Sequence, residues 1–355
     1  MYPRININLK RLKENCILMK DLAKNNGIDF IMPVVKVVAG DIKVANVFID
    51  AGFDILSDSR LENLKLYSSL PVKKLLLRLP ALSQIKDVIT FSDISLNSEI
   101  KTVLALDMEA KRQNKKHEII FMFDLGDLRE GIFYKDKYLE DIKDIIKLKN
   151  IIFKGIGTNL TCYGGVVPNK KILQRLVEIK KNIEKTFDMN LEIISGGNSS
   201  SVFLFDKDEI PSEINSLRIG EAIFFGKETA YSTLIPGLNH TIFTLEAEII
   251  ECKTKPSFPD GEMSINSFGE KVEIEDKGLM KRAILAIGKQ DVQLNNIFPI
   301  DNRISIIGGS SDHLIMDVTN TDYKLGDIVE FEVNYPGLLH LMNSPYIKRN
   351  YKEQK

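Results

Sequence analysis

The feature that most constrains the fold of this sequence is an alternation, between residues 28 and 220, of short apolar runs and longer segments with helical periodicity. Short apolar runs bounded by turn residues are typical of buried parallel strands, and helical segments between them are typical of β–α units. The eight predicted strands span residues 30–36, 53–57, 74–79, 93–97, 118–124, 151–158, 191–195 and 216–220. Eight strands favour a (β/α)8 barrel over a doubly wound open sheet, which usually has fewer strands and a glycine-rich first turn.

The pattern changes after residue 231, where strands follow one another without helices between them. These strands are predicted at residues 241–252, 282–287, 303–307, 314–318 and 328–333. The sequence therefore predicts an α/β chain with a TIM-type (β/α)8 barrel over residues 10–232 and an all-β C-terminal domain over residues 233–355. The N-terminal strand, within residues 1–9, is expected to join the second domain, and the tail from residue 348 is expected to be mobile.

The charge, the apolar runs and the cysteines of the sequence argue against a nucleic-acid or membrane partner, a signal peptide and a metal site. The formal net charge is −1, so neither a nucleic acid nor an anionic membrane surface is expected as a partner. No apolar run approaches ~18 residues, and the N-terminus lacks the apolar region of a signal peptide. The cysteines Cys16, Cys162 and Cys252 have no metal-ligand spacing. We therefore expect a cytoplasmic protein with reduced thiols and no metal site.

A lysine stands at the end of the first predicted strand, in the run Val34-Val35-Lys36. Burial disfavours an ammonium group and so favours the neutral, nucleophilic amine. A neutral amine is what covalent attachment of an aldehyde requires. The alternative is a lysine whose side chain reaches solvent from the end of the strand.

The loops after the last two predicted barrel strands carry groups that suit a phosphate. In barrels the phosphate site usually lies in the loops after strands 7 and 8. Here these loops read Gly-Gly-Asn-Ser at residues 196–199 and Arg-Ile-Gly-Glu at residues 218–221, which offer main-chain N–H groups and a hydroxyl. Alone, such a segment could be an ordinary loop with a helix cap. Together with the strand-1 lysine it predicts pyridoxal 5'-phosphate (PLP), whose binding needs both an amine and a phosphate cradle.

These motifs resemble those of the alanine racemase family of fold-type III PLP enzymes over essentially the whole chain. The matching segments are Val34-Val35-Lys36, the Asp-x-Gly-x-x-Arg-x-Gly motif at residues 124–131, Asn198-Ser199, residues 217–220, the pattern at residues 317–319 and 326–327, and Tyr335. The resemblance implies that Lys36 binds the cofactor, Arg129 meets the substrate carboxylate, and Arg218 faces the pyridine nitrogen. It further implies these cofactor contacts: Asn159, Asn198, Ser199, Gly220, Glu221 and Tyr335.

The sequence departs from the family at several positions. Gly40 stands where the family has a tyrosine, Met122 where it has a carbamylated lysine, and Asn159 where it has a histidine. The segment that carries the base on the opposite face of the substrate reads Gly-Lys-Gln-Asp-Val at residues 288–292. The second base is therefore either Lys289, which we take as the candidate, or a residue that the motif does not identify.

The variant Asp-Leu-Gly-Asp-Leu-Arg-Glu-Gly at residues 124–131 resembles the ornithine racemase branch of the family. We therefore expect a small amino-acid substrate, with L- and D-ornithine interconverted by two bases that move the Cα proton. The resemblance also implies a head-to-tail homodimer. The alternatives are an alanine or broad-specificity racemase, a fold-type III decarboxylase, which would need an acid where Arg218 stands, and a non-catalytic PLP-binding protein, which would lack the second domain.

Ornithine carries a second ammonium that a closed pocket must pair with an acid. Four acids lie near the expected site: Asp127, Glu130, Asp291 and Asp312. We predict that Asp127 and Asp312 contact the substrate. Each of the four could equally lie in a solvated loop or pair with a nearby cation.

Overall fold

The computed structural model describes residues 1–265, 268–269, 271 and 273–352, and the chain divides into two units. One unit comprises residues 11–240, and the other comprises residues 1–10 together with residues 241–355. The strands are β1 (Arg4–Asn8), β2 (Phe30–Pro33), β3 (Ile55–Asp58), β4 (Lys73–Leu76), β5 (Ile94–Asn97), β6 (His117–Asp124), β7 (Ile132–Phe133), β8 (Ile151–Gly157), β9 (Ile193–Asn198), β10 (Ser216–Ile219), β11 (Phe243–Pro256), β12 (Leu279–Leu285), β13 (Ile297–Pro299), β14 (Ser305–Gly309), β15 (Leu314–Asp317), β16 (Ile328–Val333) and β17 (Lys348–Lys352). The α-helices are α1 (Leu9–Asn25), α2 (Ile42–Asp50), α3 (Leu61–Leu66), α4 (Ile85–Phe91), α5 (Ile100–Arg112), α6 (Leu139–Ile145), α7 (Lys170–Phe187), α8 (Glu221–Phe225) and α9 (Tyr335–Asn343).

Eight parallel strands form a closed barrel in the unit of residues 11–240. Their order is β2-β10-β9-β8-β6-β5-β4-β3. The first and last strands of this order also meet, because Val34 forms a parallel bridge with Ser57 and the Val35 N–H donates to the Ser57 carbonyl at 2.8 Å. Closure satisfies the strand edges and brings the eight carboxyl ends to one rim.

Apolar side chains from six of the barrel strands pack together in one cluster. Its buried members are Met32, Ile55, Leu75, Ile94, Leu96, Ile120, Met122 and Ile193. These residues come from the apolar runs that define the predicted strands, so the runs supply the buried core of the barrel.

The other unit is a mainly antiparallel sheet in the order β13-β16-β11-β12-β15-β14, with β1 beside β11 and β17 beside β1. Side chains fix the N-terminal strand in place: Glu246 accepts hydrogen bonds from Arg4 Nε and Asn6 Nδ2, both at 2.6 Å. The pairing of β1 with β11 thus joins residues 1–10 to the part of this unit that begins at residue 241.

Two elements near the C-terminus differ from the sequence-based expectation. Helix α9 follows β16, where only strands were expected; the Asn334 side chain caps it by accepting from the Gly337 N–H at 2.9 Å. Residues 348–352 were expected to be mobile, yet they form β17, which pairs in parallel with β1. The final residues, 353–355, lie outside the described part of the chain. No helix among the described residues is long and apolar enough to cross a membrane.

Candidate active site

Lys36 lies at the carboxyl end of the first barrel strand. Strand β2 ends at Pro33, earlier than predicted, and Lys36 begins a 3-10 turn over Lys36–Val38. Burial lowers the pKa of the Lys36 amine, and the positive charge of Arg129 lowers it further, against the opposing charges of Asp58 and Glu130. The lowered pKa increases the fraction of neutral, nucleophilic amine.

A tight loop after β6 presents Arg129. The Asp124 side chain accepts from the N–H groups of Gly126 at 2.7 Å and Leu128 at 3.2 Å, so the strand's last residue folds the loop back on itself. Gly131 is required here, since a Cβ at this residue would lie 2.5 Å from the Asp124 nitrogen and its φ is +119°. The loop is thus held at both ends, with Arg129 between them.

The Arg129 guanidinium forms an ion pair with the neighbouring Glu130. Glu130 also accepts a hydrogen bond from Asn159 Nδ2, and Asn159 Oδ1 accepts in turn from Arg218 at 2.7 Å. Strands β6, β8 and β10 therefore contribute one continuous chain of polar groups that runs from the half-exposed Arg129 to the buried Arg218.

Arg218 is buried in the middle of the polar rim. It donates to Ser195 Oγ and to the Thr158 carbonyl, both at 2.5 Å. Burial lowers its pKa to about 10, while Glu130 acts in the opposite direction. The guanidinium therefore remains protonated at neutral pH and offers a fixed positive charge inside the barrel mouth.

The loops after β9 and β10 are fastened to each other. Ser199 Oγ accepts from the N–H groups of Gly220 and Ala222, both at 3.2 Å. Asn198 Nδ2 donates to the Leu160 carbonyl at 2.9 Å. A Cβ on Gly220 would lie 2.9 Å from the Val34 carbonyl oxygen, so this loop abuts the strand that leads to Lys36.

Glu221 begins helix α8 directly after Gly220. Burial raises the pKa of its carboxyl, and the charges of Lys227 and Lys36 oppose that effect. Glu221 thus lies within electrostatic range of Lys36. Together with the contacts above, this brings the predicted barrel residues Lys36, Arg129, Asn159, Asn198, Ser199, Arg218, Gly220 and Glu221 to one end of the barrel.

Asp127 lies in the loop after β6 and binds the main chain of the loop after β8. It is buried, and its carboxylate accepts four main-chain hydrogen bonds of 2.9–3.1 Å. The donors are the N–H groups of Thr161, Cys162, Tyr163 and Val166. Burial raises the pKa of Asp127, but these donors lower it by more. In this structure the Asp127 carboxylate therefore stabilises the loop after β8.

Three predicted site residues belong to the unit of residues 1–10 and 241–355. The Lys289 ammonium lies 4.1 Å from the ring centre of Phe268, and its main-chain N–H donates to the Ser310 carbonyl at 2.9 Å. Tyr335 is half-buried in the first turn of α9, and Asp312 is exposed in the turn between β14 and β15. Asp291, the remaining acid considered for the substrate ammonium, is buried and accepts from Ser344 Oγ at 2.7 Å.

Asp58 is a rim residue that was not predicted from the sequence. It is fully buried at the carboxyl end of β3, and it accepts from the Arg60 N–H at 2.9 Å and from Asn63 Nδ2 at 3.1 Å. Burial raises its pKa to about 6, against those hydrogen bonds and the charge of Lys36. Its position, a lone acid at a barrel strand's carboxyl end, is the signal that could have found it. In the described part of the chain, no group of three or more His, Cys, Asp or Glu could hold a metal ion.

Comparison with known proteins identifies the family. Residues 7–228 match the family model described as "Alanine racemase, N-terminal domain". The chain belongs to the alanine racemase family. This confirms the family that the sequence motifs indicated.

Two relatives match along nearly the whole chain. A protein named ornithine racemase from Acetoanaerobium sticklandii is 46% identical over 351 residues, 98% of this chain and 99% of the relative. A protein named lysine racemase from Thermotoga maritima is 37% identical over 355 residues, 99% of each chain. The solved structure of an alanine racemase from Clostridium difficile 630 superimposes with a TM-score of 0.79 at 18% identity, covering 99% of this chain and 96% of that one. This likeness confirms the predicted fold class, a (β/α)8 barrel followed by a β domain.

Proposed function

We propose that this protein is a PLP-dependent amino-acid racemase that interconverts L- and D-ornithine. The observation that carries the proposal is the 46% identity to a protein named ornithine racemase across 98% of the chain. The barrel rim supports it, because a lysine of lowered pKa lies in the same electrostatic cluster as two arginines. A racemase that acts first on lysine is the second candidate, favoured by the 37% identity to a lysine racemase.

The residues of the rim fit PLP. Lys36 has the lowered pKa that attack on an aldehyde requires. Gly220 has no side chain, so its turn packs closely against the Val34 carbonyl, next to the strand that leads to Lys36. The hydroxyl of Thr158 is buried without a hydrogen-bond partner next to Arg218, which leaves a polar atom available to a bound group.

The proposed roles follow the family resemblance. Lys36 binds the cofactor covalently, Arg218 faces its ring nitrogen, and Arg129 binds the substrate carboxylate. Further contacts with the cofactor are assigned to Asn159, Asn198, Ser199, Gly220, Glu221 and Tyr335. The bound cofactor withdraws electrons from Cα and so acidifies the Cα proton. The Lys36 amine would take that proton on one face and return it, and its lowered pKa favours the neutral amine that can accept a proton.

Arg218 and Arg129 have different proposed partners: Arg218 acts on the cofactor, and Arg129 acts on the substrate. Arg218 would face the ring nitrogen of a bound cofactor, as the family resemblance implies, and its protonated guanidinium would disfavour a second proton there and so moderate electron withdrawal. Arg129, half-exposed at the mouth, fixes the substrate by its carboxylate and leaves the side chain to the remainder of the pocket. This division favours return of the Cα proton over loss of the carboxylate.

The remaining assignments are part of the same proposal. Residues 10–232 form the PLP-binding domain, and Lys289 is the opposite-face base, with Asp312 near the substrate. The protein is a head-to-tail homodimer, as the family resemblance implies. Three free cysteines fit a reducing compartment, so we place the enzyme in the cytoplasm.

The test compares wild type with Lys36→Ala on a panel of L-ornithine, L-lysine, L-norvaline and L-alanine, with product chirality read by chromatography. Norvaline shares the carbon chain of ornithine but lacks its distal amine. We expect wild type to prefer ornithine by about tenfold or more in kcat/KM, the worth of one charge-assisted contact, with lysine weaker. Lys36→Ala should lose racemisation and also the borohydride-trappable cofactor, whereas Lys73→Ala, at an exposed ion pair, should keep both.

Equal turnover of norvaline and ornithine would replace the ornithine assignment with a broad-specificity racemase. A preference for lysine would favour the second candidate. Retention of a trappable cofactor by Lys36→Ala would overturn the role of that lysine.

A further inference from the structure

Glu130 occupies the centre of the polar chain at the barrel rim. One carboxylate oxygen, Oε1, accepts from Arg129 at 2.7 Å and from Asn159, and the other, Oε2, pairs with Arg129 Nε. Only 14% of the Glu130 side chain is exposed, against 42% for Arg129. Both oxygens of the Glu130 carboxylate therefore contact the Arg129 guanidinium.

Glu130 also affects the pKa values of the neighbouring basic side chains. Arg129 lowers the pKa values of both Lys36 and Arg218, while Glu130 raises both. The Glu130 carboxylate thus contacts Arg129 directly and is linked to Arg218 through Asn159. Removal of the Glu130 charge would take from Arg129 the carboxylate that its guanidinium contacts through two nitrogens.

Met122 supplies no such charge. It stands two residues before Asp124, where the family has a carbamylated lysine, and it is fully buried in the apolar core. Its sulfur lies 3.2 Å from the Cβ that a side chain on Gly157 would have, close to Arg218. The acid that contacts Arg129 in this chain is its own neighbour in the sequence, Glu130.

We propose that Glu130 is a positioning residue: it holds the Arg129 guanidinium in the orientation that binds the substrate carboxylate and ties it through Asn159 to Arg218. Glu130 is thereby excluded as the acid that pairs with the distal ammonium of the substrate. This inference rests on the proposed function in one respect, namely that Arg129 binds a carboxylate.

The test uses Glu130→Gln in the holoenzyme. Glutamine keeps the size of the side chain, but its amide NH2 group cannot accept from the Arg129 fork, so one of the two contacts becomes donor against donor. The probe is valerate, a five-carbon carboxylate with neither the α-amine nor the distal amine of ornithine, with its Kd measured by calorimetry. We expect the Kd of valerate to rise by about tenfold, and the KM values of ornithine and norvaline to rise by a similar factor.

Glu109→Gln is the matched control. Glu109 accepts two hydrogen bonds from Arg112, at 2.6 and 2.7 Å, on α5, outside the rim. Loss of the Glu109 charge should therefore leave valerate binding unchanged. Glu130→Asp, which keeps the charge but shortens the reach, should give a smaller rise that is again equal for the three ligands. This variant decides the question if Glu130→Gln does not fold.

A rise confined to ornithine, with valerate and norvaline unaffected, would show that Glu130 pairs with the distal ammonium and would overturn the inference. Unchanged binding of all three would overturn it as well. If wild type racemises no ornithine, the proposed function fails, and the valerate comparison still decides what Glu130 does to Arg129.

Discussion

At the scale of single residues, Asp58 is the clearest case of a group whose ionisation opposes folding. Its pKa in the folded protein, about 6, lies above the ordinary value of 3.8 because the carboxyl is buried. The folded state therefore holds this proton more tightly than the unfolded state does. The resulting stability is complete below about pH 4 and is lost as the pH rises through about 6.

We predict that Asp58→Asn removes this pH dependence. Asparagine retains an oxygen for the Arg60 N–H but does not titrate. Between pH 4 and pH 7, the free energy of unfolding of wild type should fall relative to that of the variant by on the order of 3 kcal/mol. Urea unfolding at the two pH values measures it, with Asp21→Asn, exposed on α1, as the control. Parallel curves for wild type and Asp58→Asn would contradict the prediction.

The sequence identifies single rim residues unevenly. Lys36, Arg129 and Arg218 stand at strand ends or in a recognisable motif, so their approach to one another follows from the barrel topology. The sequence does not show what a side chain touches across the rim. Asp127 and Glu130 are both loop acids next to glycine or arginine, yet one binds four main-chain N–H groups and the other binds a guanidinium.

At the scale of elements, the strands that bury both faces were predictable to within a few residues, because an apolar run reports burial directly. The elements that were missed have no such run. Strand β17 reads Lys-Arg-Asn-Tyr-Lys, and it pairs with β1 through main-chain groups that any sequence provides. Helix α9 had a local signal, Asn334 followed by Tyr335-Pro336, which is a typical cap and first turn.

His117 ties two neighbouring barrel strands together at their start. It is buried at the beginning of β6, and its Nε2 lies 2.8 Å from Ser95 Oγ on β5, which also accepts from Asn97 Nδ2 at 2.9 Å. Burial lowers the pKa of His117 to about 4, with a main-chain contact at Ser92 acting in the opposite direction. Because the folded pKa lies below the unfolded value of 6.5, this contribution to stability is present above about pH 6.5 and is lost as the pH falls towards 4.

We predict that His117→Gln, which can still bond to Ser95 but does not titrate, abolishes the acid-side loss. The loss in wild type relative to the variant should be on the order of 3 kcal/mol between pH 7 and pH 4. Protonation of His117 lowers the stability as the pH falls, whereas protonation of Asp58 raises it over an overlapping pH range. The two effects are therefore separated by comparing each single variant with wild type. His240→Gln, at an exposed histidine, is the control. An equal loss in wild type and His117→Gln would show that another group controls acid stability.

At the scale of the whole molecule, the proposed site draws on residues far apart in the sequence. Lys36 belongs to the unit of residues 11–240, and the candidate opposite-face base, Lys289, belongs to the unit that contains residues 241–355. In the proposed head-to-tail homodimer, Lys36 of one copy works with Lys289 of the other. Such an arrangement is isologous, so a dimer has two equivalent sites.

Two inactive variants should therefore complement each other. A heterodimer of Lys36→Ala with Lys289→Ala, purified through two different tags, contains one site that lacks both lysines and one site that keeps both. We expect each homodimer to be inactive in racemisation and the heterodimer to recover about half of the wild-type activity. Sedimentation of each sample confirms that equal numbers of dimers are compared. An inactive heterodimer would mean that both lysines act within one copy, and full activity of the Lys289→Ala homodimer would exclude Lys289 as the second base.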